Sequence, residues 1–334
     1  MISDTLSTYS YLFNCANPLF ADPAVRSILA SVIDRNTILT FTVYGKAATG
    51  LIPGTVNDGS KASSSWKTGA GALPATAAKS VSEAKAALDA IEGYEPGAFT
   101  LTYLDTEVNG KIAAYVKGLW DELGYTVTLD PVIADTRHVE DGGTITVYDS
   151  VLQTKYANRT YDVLGIDYQM YSTNALPVFA TLTDSMSGSG INFGDSEGVV
   201  EGATLDELIN NTEEVQYVER TNRLNYSSEA YDAKVEAAYA EKDLSKRSTL
   251  LHEAEEILLS EMPLIPLVFN QRAYMASGDL SGLDVDRFGF VSFTLCKQKN
   301  YELYLAVDDD AVATTAETTA EPEETEGGEE EAGE

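Results

Sequence analysis

Histidine and cysteine are among the scarcest residue types in this chain. Its 334 residues include two histidines, His138 and His252, and two cysteines, Cys15 and Cys296. A zinc site, a nucleophilic cysteine–histidine pair and a disulfide framework all depend on these side chains. Motifs for phosphate loops, dinucleotides or nucleophile elbows are also missing. The sequence therefore predicts no metal and no cofactor.

Basic residues are scarce as well. There are 22 Lys and Arg against 53 Asp and Glu, which gives a formal net charge of −31. Nucleic acid and anionic membrane surfaces repel such a polyanion, so neither is expected as a partner. No apolar run is long enough to predict a segment that spans a bilayer.

The end of the chain carries much of this charge. Twelve acidic residues lie between Asp308 and Glu334, with no basic and no aromatic residue. Such a composition buries too little apolar surface to offset the loss of chain entropy. Residues 308–334 are predicted to form a disordered acidic tail, either an interaction arm or a solvating tail without a partner.

The rest of the chain follows an α/β pattern. Residues 99–104 and 125–132 are patterned like strands, and residues 110–123 between them have the apolar spacing of a helix, which is typical of a βαβ unit. Residues 45–78, rich in small residues, are predicted to be a long loop of the kind that binds ligands or closes over them. Further helices are expected from Asp22 and Ser80 and over 228–242 and 244–261. Further strands are expected over 161–168 and over 264–275, where Pro266 interrupts the second strand, and residues 171–202 are expected to be rich in loops.

A polar and aromatic cluster follows from the strand predicted over 161–168. Ligands bind beyond the carboxyl ends of strands in open α/β sheets, and tyrosine offers stacking area with a polar tip. We predict that Tyr168 and Tyr171 stack on a solute and that Asp167 accepts hydrogen bonds from it; an ordinary tyrosine-rich surface loop is the alternative. The candidate ligand-binding residues are Asp167, Tyr168, Tyr171, Ser172 and Asn174.

The residues suggest no catalytic group. Both histidines lie among charged residues and are expected to be solvated surface side chains. Glu255 and Glu256 are adjacent on a predicted helix, so they point in different directions and do not form a paired-carboxylate site. We therefore expect a protein that is not an enzyme.

The two cysteines lie at opposite ends of the predicted ordered region. A disulfide between Cys15 and Cys296 would close a long loop and stabilise the fold strongly. Two buried free thiols are the favoured interpretation, and the pairing stays open.

Five segments follow one another along the chain in a recognisable order. The first includes the runs YSYLFN from Tyr9, PLFADPAVR from Pro18 and ASVIDR from Ala30. The others are EAKAAL with GY from Glu83, WDELGYTV from Trp120, YDV from Tyr161, and AEEIL with MPLIPL from Ala254. Together they cover about Tyr9 to Leu305. Taken in this order, they resemble the oligopeptide/dipeptide-binding proteins of ABC importers, which are extracellular solute-binding proteins of family 5.

The resemblance implies the periplasmic-binding-protein fold (class II, Venus-flytrap), with the second lobe and the return segment of the first lobe present. The implied domains are a crossover or hinge strand (1–13), the ligand-binding lobe (14–270) and the return segment (271–307). The opening part of the first lobe is expected to precede Tyr9 and to be absent. That absence would also account for the missing signal peptide and lipid-anchor cysteine.

The resemblance also implies positions for ligand contacts. In peptide binders of the family, an Asp after the Tyr-Asp-Val strand pairs with the ligand's amino group, and this position falls at Tyr171 when counted without gaps. An Arg that some members use for the peptide carboxylate falls at Gly165. Asp167 can take the place of that Asp if the strand register differs. A peptide, a sugar or another polar metabolite is the expected solute.

The implied function is that of the solute-binding component of an ABC importer. Its partners would be the solute and the permease subunits, and the full-length protein would be exported to the cell surface or periplasm, with a lipid anchor expected. Two alternatives are a secreted hydrolase that uses carboxylates and a surface adhesin or structural fragment without a small ligand. Turnover would identify the hydrolase, and the lack of a ligand-dependent thermal shift would identify the adhesin.

Overall fold

The structure is a computed structural model that describes residues 1–59, 64–67, 78–133, 135–138, 144–147, 150–184, 186 and 222–300. For residues 135–138, 144–147 and 150 it describes the backbone alone. The chain divides into two compact units, Met1–Tyr274 and Met275–Glu334. The predicted tail, 308–334, lies outside the described residues. The domain boundaries expected from the resemblance stay a prediction.

A six-stranded mixed sheet organises the first unit. Its strands are β1 (Ile2–Phe13), β2 (Gly45–Ala47), β3 (Ala98–Leu104), β4 (Thr126–Val132), β7 (Val163–Gln169) and β8 (Leu264–Ala273). Their order in the sheet is β2-β8-β1-β7-β3-β4. Strand β1 pairs antiparallel with β7 on one side and with β8 on the other, whereas β3 runs parallel to β7 and β4. A separate hairpin joins β5 (Asp135–His138) and β6 (Thr144–Val147).

Helices cover this sheet. They are α1 (Pro23–Ser31), α2 (Arg35–Leu39), α3 (Val81–Asp89), α4 (Glu107–Glu122), α5 (Ser150–Ala157), α6 (Leu176–Ala180), α7 (Glu229–Ala240) and α8 (Leu244–Glu261). The capping residues predicted at the N-termini of two helices are confirmed. Asp22 caps α1 with Pro23 in its first turn, and Ser80 and Glu83 form the capping box of α3. The βαβ prediction is confirmed by β3, α4 and β4.

Strand β1 separates two hydrophobic cores. Successive side chains of a strand point to opposite faces. On β1, Tyr9, Tyr11 and Phe13 therefore belong to one cluster of buried residues, and Leu6 and Leu12 to the other. The first cluster packs under α1, α3 and α4, and the second under α6, α7 and α8.

Two buried arginines join segments that are distant in sequence. Arg26 on α1 donates to the carbonyls of Phe20 and Ala21 and to those of Glu261 and Met262 at the end of α8, at distances of 2.6 to 3.2 Å. The carbonyls of Glu261 and Met262 lie beyond the last hydrogen bonds of α8 and need such donors. Arg35 donates through Nε to the carbonyl of Pro266 at 2.8 Å. The arginines of the recognised runs are thus structural.

The structure corrects three sequence-based expectations. Strand β8 continues through Pro266 to Ala273. Pro266 pairs with Ser10 of β1 beside an irregularity of the ladder, where a residue without a backbone N–H is tolerated. The long loop predicted over 45–78 begins with a short strand, β2, at the edge of the sheet. The loop-rich region after Tyr171 contains helix α6, which Pro177 opens in its first turn.

The second unit is described over residues 275–300 and consists of two short ladders. Strand β9 (Leu280–Ser281) pairs with β12 (Lys297–Gln298), and β10 (Asp284–Val285) pairs with β11 (Val291–Ser292). Gly282 has a φ of +81°, and a Cβ there would collide with the Leu295 carbonyl oxygen. The turn therefore requires glycine at this position.

Gly165 on β7 should be intolerant of a side chain. A Cβ there would lie 2.7 Å from the Tyr9 hydroxyl and 2.8 Å from Cε1 of Tyr11. We expect Gly165→Ala to lower the free energy of unfolding by about 2–3 kcal/mol, measured by urea denaturation. The control is Gly118→Ala in α4, where a Cβ meets nothing within 4 Å and should stabilise the helix by about 0.5–1 kcal/mol. Equal effects of both substitutions would contradict the tight packing at Gly165.

Candidate functional site

A strip of polar side chains crosses three neighbouring strands where the apolar core ends. On β1 it contains Thr5 and Ser7, on β7 Asp167, and on β8 Asn270. The register places Ser7 opposite Gln169 and Tyr9 opposite Asp167, so these side chains share one face of the sheet. The strip lies at the carboxyl end of β7, where the sequence predicts a ligand site.

Asn270 connects the members of this strip. Its Nδ2 donates to Ser7 Oγ at 2.9 Å and to Asp167 Oδ1 at 2.6 Å. Its carbonyl accepts from Thr5 Oγ1 at 3.0 Å, and the Thr5 and Ser7 hydroxyls lie 3.1 Å apart. One amide thus fixes the side chains of β1 and β7 relative to β8.

Asp167 lacks a positive partner in the described part of the chain. Protein surroundings that exclude water raise the pKa of its carboxyl above the usual range, and the hydrogen bond from Asn270 counters this only in part. The residue is nonetheless exposed at its surface. An accessible carboxylate whose charge is incompletely compensated is well suited to accept a hydrogen bond or an ammonium group from a ligand.

Tyr168 does not share this surface. It follows Asp167 on the same strand and therefore points to the opposite face, into the second core. Only 8% of its surface is exposed, and its hydroxyl lies 2.6 Å from Thr181 Oγ1. The prediction that Tyr168 stacks on a solute together with Tyr171 is thus not supported by its position, because strand alternation buries it.

The other three predicted residues lie in the turn after β7. Tyr171 is 89% exposed. The side chains of Ser172 and Asn174 accept hydrogen bonds at 3.0 Å from the backbone of Asn174 and Leu176, which shapes the turn before α6. The side chain of Tyr171 is thus accessible to a ligand, whereas those of Ser172 and Asn174 already make hydrogen bonds within the turn.

A cleft of about 310 Å³ lies beside the polar strip. Asn270 belongs to both, which connects the cleft to Asp167. The volume is at the lower end of the range for small-molecule sites. The lining residues are Asp4, Thr5, Lys46, Thr49, Ile52, Pro53, Gly54, Trp66, Lys67, Phe269 and Asn270.

Asp4 and Lys46 balance each other at the rim of this cleft. Lys46 Nζ lies 2.7 Å from one carboxylate oxygen of Asp4, and Gln271 Nε2 donates to the other at 2.7 Å. Burial acts to raise the pKa of Asp4, but these two hydrogen bonds outweigh it and lower the pKa. Asp4 therefore has a cationic partner in Lys46, whereas Asp167 has none among the described residues.

Sequence reasoning missed the residues of the cleft wall. Trp66 and the segment from Ile52 to Gly54 belong to the long loop predicted over 45–78, whose length was the one available signal. The structure fixes this loop on β1, where Thr8 Oγ1 donates to the Leu51 carbonyl at 2.7 Å and Thr55 Oγ1 to the Thr5 carbonyl at 2.8 Å. Residues 60–63 and 68–77 lie outside the described residues.

His252 is not the solvated surface residue that the sequence predicts. Its ring stacks on Trp66 with centroids 4.0 Å apart, because α8 packs against the loop wall. The side chain of His138 lies outside the described side chains. Glu255 and Glu256 do point in different directions, since Glu255 is buried and Glu256 exposed.

Both cysteines are free thiols in the structure, and each is partly exposed rather than buried. Removal from water raises the pKa of the Cys15 thiol to about 11, so this side chain is a poor nucleophile at neutral pH.

Among the described residues, no group of three or more His, Cys, Asp or Glu side chains could hold a metal ion. No helix in the described part of the chain has the length and apolar character needed to cross a bilayer.

The mixed sheet has helices on both faces and a polar cleft beside β1 and β8, and its α/β fold is of the periplasmic-binding-protein type. Residues 2–189, more than half of the chain, match the family model described as bacterial extracellular solute-binding proteins, family 5 middle. The chain belongs to this family.

Relatives of known description agree with this assignment. The chain is 30% identical over 70 residues to the dipeptide-binding protein DppE of Bacillus subtilis, which covers 21% of this chain and 13% of that protein. It superposes on the structure of HbpA2 from Haemophilus parasuis with a TM-score of 0.63 and 15% identity, over 90% of this chain and 49% of that one. A dipeptide-binding protein from Pseudoalteromonas sp. SM9913, solved in complex with Met-Leu, gives a TM-score of 0.61 and 16% identity, over 90% and 50%.

The lengths of these proteins differ. The chain spans about half the length of the solved structures that it matches and a smaller share of the curated relative. The matched proteins are binding proteins rather than enzymes, and the predicted fold class and family are confirmed.

Removing the charge of Asp167 and removing that of Asp130 should change the melting temperature in opposite directions. The pKa of Asp130 is lowered, first by Lys155 at 2.9 Å and also by Thr102, so ionised Asp130 stabilises the fold above its unfolded pKa and loses this effect as the pH falls through its folded pKa. The raised pKa of Asp167 means that its ionised form destabilises the fold at neutral pH. At pH 7 we expect Asp167→Asn to raise Tm by about 1–2 °C and Asp130→Asn to lower it by a similar amount.

Both effects should fade near pH 3, where the carboxyl groups become protonated in the unfolded chain and the substituted amides resemble the neutral acids. Differential scanning calorimetry at the two pH values measures them. A fall in Tm for Asp167→Asn at pH 7 would mean that the carboxylate is satisfied within the fold.

Proposed function

We propose that this chain acts in the solute-binding component of an ABC importer and that it binds a peptide or a similar polar solute in the cleft beside Asp167. The family match supports the class of protein. The observation that carries the site is an accessible carboxylate, Asp167, held by Asn270 without a cationic partner among the described residues.

The ligand's amino group is the natural partner of Asp167. An ammonium donates up to three hydrogen bonds and supplies the charge that the carboxylate lacks. Tyr171, exposed in the turn after β7, would contact the side chains of the solute. In this proposal Asp167, Tyr171 and the cleft residue Asn270 form the recognition surface, and Tyr168 supports it from below.

Solute capture would work by a shift of population. Contacts from two lobes stabilise a closed state, and the permease recognises that state. We further propose that the protein lies outside the cytoplasmic membrane, at the cell surface or in the periplasm, and that it carries a lipid anchor. The domain organisation of hinge strand, binding lobe and return segment belongs to it as well.

Binding of Met-Leu by this chain tests the function. Because the chain spans about half of the matched structures, we expect a Kd near the millimolar range, and 10 mM Met-Leu should raise Tm by about 1–3 °C. Chromatography of the same mixture should show intact peptide. Hydrolysis of the peptide would favour the hydrolase, and no shift with Met-Leu or pooled peptides would favour an adhesin or structural role. Micromolar affinity would contradict the need for contacts from a second lobe.

Asp167→Asn separates recognition of the ammonium from general effects on the fold. We expect this substitution to abolish the preference of the chain for Met-Leu over N-acetyl-Met-Leu, because the acetylated peptide has no ammonium to pair. Asp130→Asn, which removes a carboxylate paired with Lys155, should keep the preference. Isothermal titration measures both peptides, and an unchanged preference in Asp167→Asn would place the amino group elsewhere.

Tyr171→Ala tests the aromatic contact. At 89% exposure the ring contributes little to stability, so Tm without ligand should stay within about 1 °C. Affinity for Met-Leu should fall by about threefold to tenfold. Tyr239→Ala on α7, 66% exposed, is the matched control and should change neither quantity. Full affinity in Tyr171→Ala would remove this residue from the site.

A further inference from the structure

One face of helix α8 is turned toward the wall of the cleft. Ser248, His252 and Glu255 lie at intervals of four and three residues, which places them in a row on a helix. All three contact residues 51–59 and 64–66, here called the wall segment. The row therefore joins the cleft to the second hydrophobic core.

Glu255 holds both ends of the wall segment. It is 1% exposed. Its Oε2 accepts from the indole Nε1 of Trp66 at 2.9 Å, and its Oε1 accepts from the backbone N–H of Ile52 at 3.4 Å. A buried carboxylate is costly unless hydrogen bonds compensate it, so the position of Glu255 constrains both donors.

His252 and Ser248 hold the middle of the wall segment, and His252 also contacts the ring of Trp66. The imidazole stacks on the indole with centroids 4.0 Å apart and an angle of 22° between the planes. His252 Nε2 also lies 3.5 Å from Asp58 Oδ2, and Ser248 donates a hydrogen bond to the other oxygen of Asp58. Trp66 is thus fixed along its edge by Glu255 and on its face by His252.

The wall segment forms one side of the cleft. Ile52, Pro53, Gly54 and Trp66 line it together with Asp4, Thr5 and Asn270. The segment is attached to β1 through Leu51 and Thr55, and to α8 through Trp66. Glu255, which accepts the hydrogen bond from Trp66, does not itself line the cleft.

We infer that Glu255 and His252, with Ser248, are positioning residues that hold Trp66 and the wall segment in place for solute binding. The inference rests on the proposed function of the cleft. A preformed wall lowers the ordering cost of binding, because the segment does not have to be fixed when the solute arrives. None of the three residues needs to touch the solute.

Fluorine NMR of 5-fluorotryptophan-labelled chain tests the inference directly. The protein has two tryptophans, Trp66 and Trp120, so two resonances are expected, and Trp66→Phe assigns them. Trp120 is fully buried in the other core and donates to the Leu29 carbonyl, which makes it an internal reference. Glu255→Ala and His252→Ala should each shift and broaden the Trp66 resonance and leave that of Trp120 unchanged.

Conservative variants and a matched control distinguish positioning from general damage. Glu255→Gln keeps an acceptor for the indole, and His252→Phe keeps the stack, so both should preserve a sharp Trp66 resonance. Glu253→Ala on the same helix removes a surface pair with Lys234 and should change neither resonance. An unchanged Trp66 resonance in Glu255→Ala and His252→Ala, or the same broadening in Glu253→Ala, would overturn the inference.

Met-Leu titration of the same variants completes the test. Glu255→Ala should weaken Met-Leu binding by about tenfold, whereas Glu255→Gln should stay within about twofold of the original chain. Mobility of Trp66 without any loss of affinity would overturn the positioning role. If the original chain does not bind Met-Leu at all, the proposed function fails for this probe, and the fluorine spectra alone decide whether α8 fixes the wall.

Discussion

The two-sided burial of β1 is the constraint on which the rest of the first unit depends. This strand lies between β7 and β8 and pairs antiparallel with both, although its paired residues are at least 150 positions away from β7 and more than 250 from β8 along the chain. Because its side chains alternate, a shift by one residue would exchange the contents of the two cores. The register is therefore fixed, and with it the positions of every helix that packs on either face.

The same alternation places the candidate site. Along β1 the inward residues change from aromatic, Tyr11 and Tyr9, to polar, Ser7 and Thr5, on one face of the sheet. Gly165 leaves room for the two tyrosine rings, whose hydroxyl groups are buried. The polar strip thus begins where close packing ends.

The residues by which the family is recognised are not the residues of the site. Arg26 and Arg35 belong to the recognised runs, yet both are buried and donate to backbone carbonyls. They join α1 and α2 to the end of α8 and the start of β8. The motifs therefore identify residues that stabilise the fold, whereas the residues that line the cleft lie in a loop and at strand ends outside the motifs. Substitutions in the cleft can therefore alter ligand recognition without changing the residues that stabilise the fold.

The sequence by itself determined the local structure: the caps at Asp22 and Ser80, the βαβ unit, the helix over 244–261 and the family. Propensity and periodicity act over a few residues, so they can be read from neighbours along the chain. Only the tertiary structure decided that Asp167 meets Asn270, that Tyr168 is buried beneath them, and that His252 lies on Trp66. Each of these pairs depends on strand pairing or helix packing between distant segments, and no local pattern encodes which segments meet.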